Sequence, residues 1–383
     1  MGWGASIARA GSRDTFANSS RGPAGAVRFG VGARAWQNAD MADLAARLAD
    51  YIARQMPHAR DVSVRDLDRI FGGASRETSR FVLAWREDGE PRERRLILRR
   101  DPPGSLIETD RKIEFAAYRA FHGTAVPVPE ALWLEEDAGP LDFPFFVMAE
   151  IPGLEASPQA LFAPPYAAHL DAIAAQKWKI LGEIAKADPE ALGLVGTMPP
   201  VEPERAWRRE LDHWEGVLRE DAQEPQPVIE AVIRRLRRSP PPPPERLHVV
   251  HGDYRTGNFL FDAEGRIHAI LDWEMAHLGD PLEDLAWGMN PIWHWGQGVD
   301  RVGGLATRAD AIAWWEASSG LRADPDALHW WELFSCVKGQ GIWVSGAAEY
   351  SDGKNQDPIL GMSSWMMGNA QDRAALQLLG RLS

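Results

Sequence analysis

At 383 residues the chain is long enough for two lobes with separate cores, because single cores stop growing below this size. A net charge of −13 argues against a nucleic-acid protein, and 45% apolar with 25% charged residues indicates neither disorder nor a membrane class. The single cysteine, Cys336, excludes internal disulfides and cysteine-type zinc sites, and with a reducing compartment in view the expected location is cytoplasmic.

Residues 1–40 hold five arginines and two aspartates among Gly, Ala and Ser, with little apolar periodicity, and read as a disordered tail. No secretory signal pattern is present and no apolar run is long enough to span a bilayer. Met41, after the capping-type Asp40, is expected to open the first helix and could be an alternative start of the protein. Leu44, Leu48, Tyr51 and Ile52 recur at helical spacing, which predicts an amphipathic helix over 41–56.

A glycine-rich turn at 70–78 precedes β-type runs at 81–85 and 95–100, a hairpin arrangement. Backbone amides of Gly72 and Gly73 could approach a phosphate closely because no Cβ intervenes, with Ser75 and Thr78 adding hydroxyl donors. The plain reading is an ordinary hairpin turn. Arg99 stands in the apolar run Leu96-Ile97-Leu98-Arg99, either for a functional reason or as an edge-strand cation facing water.

A helix is predicted over 110–122, closed by Gly123, with Glu114 early in it. Strands follow at 131–135 and 145–150, and Ile151-Pro152-Gly153 marks a lobe boundary, giving an N-terminal lobe over 41–151 and a C-terminal lobe over 152–383. Helical spacing returns at 173–186, 207–218 and 227–238, and the proline run 240–244 reads as a stiff spacer.

The densest polar stretch is 248–285, with eight acidic residues and four histidines. His251, Asp253 and Asn258 lie on the loop leaving a strand at 247–250. A hairpin of 258–261 and 266–271, turned by Asp262-Ala263-Glu264-Gly265, returns Asp272 to the neighbourhood of Asn258. One carboxylate and one amide oxygen with open positions suit Mg²⁺, a hard cation that keeps waters and borrows phosphate oxygens. Asp253 is placed to accept or orient a hydroxyl proton of a substrate. Asp280-Pro281-Leu282-Glu283 fits a capping box, and Asp284 is read as structural, favoured by the helix dipole.

With these residues in view, the chain resembles the aminoglycoside phosphotransferase family, in the larger group of protein-kinase-like folds that includes choline kinase. HGDYRTGNFLF is similar to its catalytic loop, ILDWE to its metal-binding segment, HLGDPLEDLAW to the helix beyond, and FGGASRET, LILRRDPPG, KIEFAAYRAF and FFVMAEIPG to its phosphate loop, cation strand, lobe helix and hinge. The L-R-R-x-P-P-G wording is similar to a subgroup associated with acyl-CoA dehydrogenases.

The resemblance implies an α+β, two-lobed fold, with a small N-terminal lobe built on an antiparallel sheet and a larger, mostly helical C-terminal lobe. It implies ATP and Mg²⁺ as cofactors and a small-molecule hydroxyl substrate as partner. Asp253 would be the catalytic aspartate; Asn258 and Asp272 would hold Mg²⁺; Arg99, paired with Glu114, would contact phosphates; Gly72, Gly73 and Ser75 would cover them. Backbone groups of Ala149 and Ile151 would meet the adenine edge beside Met148, and His251 and Asp280 would brace the loop. The family's strand lysine is replaced by Arg99, and the segment 181–185 has Ala185 where a histidine is expected.

Ten of the seventeen tryptophans stand at or beyond Trp273. They favour an apolar or acyl-type alcohol as acceptor, with an aminoglycoside or amino-alcohol as the alternative and a non-catalytic nucleotide-binding module as the reading of another class.

Overall fold

The computed structural model describes residues 32–70, 77–101, 110–298, 300–355 and 358–382. Helix α1 (Gly32–Gln55) begins ahead of the expected start at Met41. From Leu44 onward the chain is one compact unit. Within that unit Leu44, Leu48, Tyr51 and Ile52 are buried, as their spacing requires, and Tyr51 meets Phe145 edge-to-face with ring centroids 4.8 Å apart.

The N-terminal lobe is an antiparallel five-stranded sheet in the order β1-β2-β3-β5-β4. Its strands are β1 (Arg60–Ile70), β2 (Glu77–Glu87), β3 (Glu90–Arg100), β4 (Ala131–Glu135) and β5 (Phe145–Ala149), with helix α2 (Arg111–Phe121) between β3 and β4. Strands β2 and β3 pair without a break from Glu77↔Arg100 to Glu87↔Glu90. Their tight turn uses Asp88 at φ 51° and Gly89 at φ 84°, the positive angles that a two-residue hairpin demands. β1 was not expected: it is an edge strand of alternating charge, RDVSVRDLDRI, largely exposed, and so carries almost no apolar pattern. Asp110 caps α2 by accepting from Lys112 N at 2.8 Å.

The C-terminal lobe is mostly helical. Helices α3 (Pro158–Leu161), α4 (Leu170–Lys186), α5 (Ala206–Asp221) and α6 (Pro227–Arg238) precede three short strands, β6 (His248–Val250), β7 (Phe259–Phe261) and β8 (Ile267–Ile270). Strand β9 (His277–Gly279) and helices α7 (Leu282–Met289), α8 (Arg308–Ser319), α9 (Pro325–Ser351) and α10 (Pro358–Leu378) follow. β7 and β8 form the expected hairpin, while β9 returns antiparallel to β6. Trp178, Trp287, Trp315 and Trp331 are fully buried, and Trp330 and Trp293 nearly so.

Tyr118, Phe121 and Arg99 of the sheet lobe meet the segment after β8. Phe121 stacks on Trp273 at 4.7 Å, Ile270 N donates to Pro127 O at 2.8 Å, and Asp272 N donates to the Tyr118 hydroxyl at 2.9 Å. These contacts fix the segment bearing Asp272 against the sheet. The molecule is therefore an α+β, two-lobed protein-kinase-like fold.

Candidate active site

The loop 251–257 leaves β6 and enters β7, and Asp253 stands in its middle. One carboxylate oxygen, Oδ1, accepts from the Trp287 indole N–H at 2.7 Å, and Oδ2 accepts from Asn258 Nδ2 at 2.7 Å. Arg255 Nε lies 3.2 Å from Oδ2, with its guanidinium over the Trp293 ring at 4.7 Å. Trp287 and Trp293 meet edge-on, and Trp295 continues the row. Asp253 thus lies beside an aromatic wall, its carboxylate held on both oxygens.

His251 is fully buried against Trp273. Its Nδ1 accepts the Asp253 amide at 3.1 Å, so the proton is on Nε2, which donates to Leu271 O at 2.9 Å. Burial pushes this imidazole down to about 4, which leaves it neutral and suited to bracing the loop rather than moving protons.

The other expected brace, Asp280, contacts something else. Its carboxylate accepts from Leu282 N at 2.9 Å, opening α7, and from Trp331 Nε1 at 3.1 Å. The carboxylate that holds the loop is Asp284, read from the sequence as structural only: it accepts from His251 N at 2.6 Å and Gly252 N at 3.0 Å. One helical turn separates the two aspartates, and only the later one faces the loop. Burial, with Glu283 adding to it, pushes Asp284 up to about 6.

Glu283 also departs from the capping box, because its side chain turns inward to Lys338 Nζ at 2.8 Å and His277 Nε2 at 3.1 Å. Glu210 lies 3.7 Å from His277 and is paired with Arg209. The spacing of Glu210, His277 and Glu283 could suit a cation, but Lys338 and Arg209 already supply positive charge there.

Asn258 and Asp272 come together as the hairpin requires, since Leu271 N donates to Asn258 O at 2.8 Å and Asp272 follows directly. Asp272 holds a left-handed φ of 69°, a conformation that costs energy for a residue with a side chain. With Asn258 Nδ2 engaged by Asp253, the amide oxygen is the atom left to face a cation. An amide oxygen beside a carboxylate is a hard donor set that fits Mg²⁺. Arg99 is buried on β3 and spans two carboxylates, Nη1 lying 2.6 Å from Glu114 Oε1 and Nη2 3.1 Å from Asp272 Oδ1. Burial opposes its charge, and Glu114 and Asp272 more than offset that.

Residues 72–331 match the phosphotransferase enzyme family. The chain belongs to this family. The curated relatives it matches are much longer than the matched segment: the mouse acyl-CoA dehydrogenase family member 10 is 31% identical over 207 residues, 51% of this chain and 18% of the relative. The Escherichia coli hygromycin-B 4-O-kinase is 27% identical over 180 residues, 44% of this chain and 49% of that enzyme. Among solved structures, a Ralstonia eutropha protein assigned to the aminoglycoside phosphotransferases superposes with a TM-score of 0.65 at 21% identity, covering 88% of this chain and 98% of its own. Aminoglycoside phosphotransferase APH(4)-Ia, solved with AMP-PNP and hygromycin B, gives 0.51 at 20% identity, covering 85% and 98%. The chain spans less than a quarter of the length of the acyl-CoA dehydrogenase relatives it matches, and no helix among the described residues is long and apolar enough to cross a membrane.

At the segment resembling the family's hinge, the backbone of Ala149 is partly committed to the sheet. Met148 pairs with Ile97 and Ala149 with Leu96, and the Ala149 N–H donates to Glu130 O at 2.8 Å. That amide is therefore engaged within the lobe, and a base contact of the kind the resemblance implies would use the other backbone groups named for it. Gly72, Gly73 and Ser75 lie outside the described residues. At Ala185, where histidine was expected, the backbone carbonyl lies 2.5 Å from His248 Nδ1 of β6.

Two residues escaped the sequence reading altogether, and a third was read only as one of the C-terminal tryptophans. Lys338 reaches Gly252 O at 2.5 Å, Lys177, fully buried on α4, lies 3.3 Å from Thr256 Oγ1 in the loop after β6, and Trp287 reaches Asp253. Burial pushes the Lys177 ammonium down to about 7. Each stands alone in its own helix pattern, and only long-range packing gives it a partner.

Proposed function

We propose that the protein transfers the γ-phosphoryl group of ATP, in a Mg²⁺-dependent reaction, to a hydroxyl of a small apolar or acyl-type alcohol. The observation that carries this is the Asp253 carboxylate, fixed between the Trp287 indole and the Asn258 amide, next to the hairpin end that presents Asp272. In this reading residues 41–151 are the nucleotide-binding lobe and 152–383 the catalytic and substrate lobe.

Asp253 accepts or orients the proton of the acceptor hydroxyl. Asn258 and Asp272 hold the metal, and Mg²⁺ when bound supplies charge neutralisation at the phosphates. Arg99, steadied by Glu114, presents a guanidinium to the α and β phosphates, with Gly72, Gly73 and Ser75 covering them. Met148, Ala149 and Ile151 border the base, and neutral His251 with Asp284 keeps the loop in register. Phosphoryl transfer asks little covalent participation of the protein, so positioning and electrostatics supply most of the catalysis.

The apolar acceptor rests on the aromatic row beside Asp253, whose part-exposed member is Trp295, beyond the buried Trp287 and Trp293. Trp315, Trp330 and Trp331 were expected to contribute but are core side chains, with Trp330 bonded to Leu236 O and Trp331 to Asp280. Similarity to the hygromycin-B kinase and the acidic net charge favour a second reading, an aminoglycoside acceptor.

The test is ATP consumption over a panel of aliphatic, aromatic and amino-sugar alcohols. Asp253→Asn lowers turnover by roughly 10² to 10⁴, the range for a positioned proton acceptor, with Mg·ATP binding retained. Undiminished turnover in that variant overturns the assignment, and binding without any acceptor above the variant's background favours a nucleotide-binding module.

A further inference from the structure

Lys338 lies on α9, far along the chain from the catalytic loop, and is 1% exposed. A buried ammonium is costly, so its partners matter. Glu283 of α7 neutralises it at 2.8 Å. An ion pair alone would be complete there, yet besides the Trp214 ring, whose centroid is 6.0 Å away, the ammonium makes two more contacts. It donates to Gly252 O at 2.5 Å and lies 5.3 Å from the centroid of the Trp287 ring.

Both extra contacts lead to Asp253. Gly252 is its peptide neighbour, and the Trp287 indole donates to its Oδ1 at 2.7 Å. The backbone at Gly252 has φ 85°, and a Cβ there would collide with Met275 O, so the loop is pressed against the segment after Asp272 while Lys338 holds its carbonyl from the other side. Oδ2 is engaged by Asn258 and Arg255. Rotation of the carboxylate about its Cβ–Cγ bond would break a hydrogen bond on either oxygen.

We propose that Trp287 and Lys338 are positioning residues for phosphoryl transfer, with Trp287 fixing the orientation of the Asp253 carboxylate and Lys338 holding Trp287 and Gly252 in the places that make this possible. The inference rests on the reading of Asp253 as the catalytic aspartate. Neither residue touches substrate; each acts through Asp253, and the carboxylate is aimed before the acceptor arrives.

Two variants of the full chain separate this from a role in folding alone. Trp287→Phe keeps an aromatic ring and removes the indole N–H. Lys338→Met combined with Glu283→Gln removes the buried charges together, so that neither is left unpaired. With Mg·ATP and the best alcohol from the acceptor panel, both variants lose roughly tenfold to a hundredfold in kcat, the range for a slightly misplaced catalytic group, at unchanged KM for ATP. The indole N–H resonance of Trp287, assigned by its absence in Trp287→Phe, supplies a readout that needs no turnover. It moves in Asp253→Ala and in the Lys338→Met/Glu283→Gln protein.

Wild-type kcat in both variants while Asp253→Asn is inactive overturns the proposal and leaves the catalytic reading standing. An indole resonance unmoved by Asp253→Ala overturns it as well. Full turnover in Asp253→Asn instead removes the catalytic reading on which the proposal rests.

Discussion

Arg99 and His277 show how single side chains are tied to this fold. Strand β3 is bonded to β2 on one side and β5 on the other, so Arg99 is not an edge residue turned to water. Its planar fork serves Glu114 and Asp272 through separate nitrogens. Because Glu114 is fully buried, removing its cation exposes the full penalty of that burial. Arg99→Met is expected to cost about 3–5 kcal/mol of stability in denaturant unfolding, whereas a solvent-facing arginine would cost almost nothing. His277 carries a pH dependence. Burial works against its proton, but Glu210 and Glu283 raise it from 6.5 to about 9. A base raised on folding contributes stability that is complete below about 6.5 and is lost as pH rises toward 9. The melting temperature should therefore fall across that window, and His277→Gln, less stable at neutral pH, should show a flatter profile there.

At the scale of elements, α4 and α8 pack closely enough that Gly182 has no room for a side chain. A Cβ would collide with Ser318 Oγ and lie 2.8 Å from Trp315 O, so the obstacle includes backbone that cannot rotate away. Gly182→Ala is expected to lower stability by about 1–3 kcal/mol, read by thermal unfolding. The same scale shows what was legible in the sequence. Helix α6, strand β4 and the β7–β8 hairpin announce themselves through apolar spacing and turn residues, and α2 through Asp110. Strand β1 does not, because an exposed edge strand needs no apolar face. β9 does not either, because three residues paired to β6 carry too short a pattern to separate from a loop.

For the whole molecule, the local part of the site was readable and the long-range part was not. His251, Asp253, Asn258 and Asp272 lie within one loop and hairpin, whose register alone brings them together. Trp287, Lys338 and Lys177 act on that loop from α7, α9 and α4, and their helices look ordinary until packed. Asp280 and Asp284 show the limit most plainly. Both belong to one acidic segment, and only the direction in which α7 faces assigns the loop to the later residue. The lobes meet where Asp272, Arg99 and Tyr118 converge, so the segment bearing Asp272 is fixed by the sheet lobe and the loop bearing Asp253 by the helices. That division of labour suits the proposed reaction, in which one lobe would present the donor and the other would aim the acceptor. The most direct measurement is phosphorus NMR of Mg·ATP incubated with the alcohol panel, in wild-type and Asp253→Asn protein. The account predicts a new phosphate-ester resonance that requires wild-type Asp253. Free inorganic phosphate alone, released equally by both proteins, would contradict it.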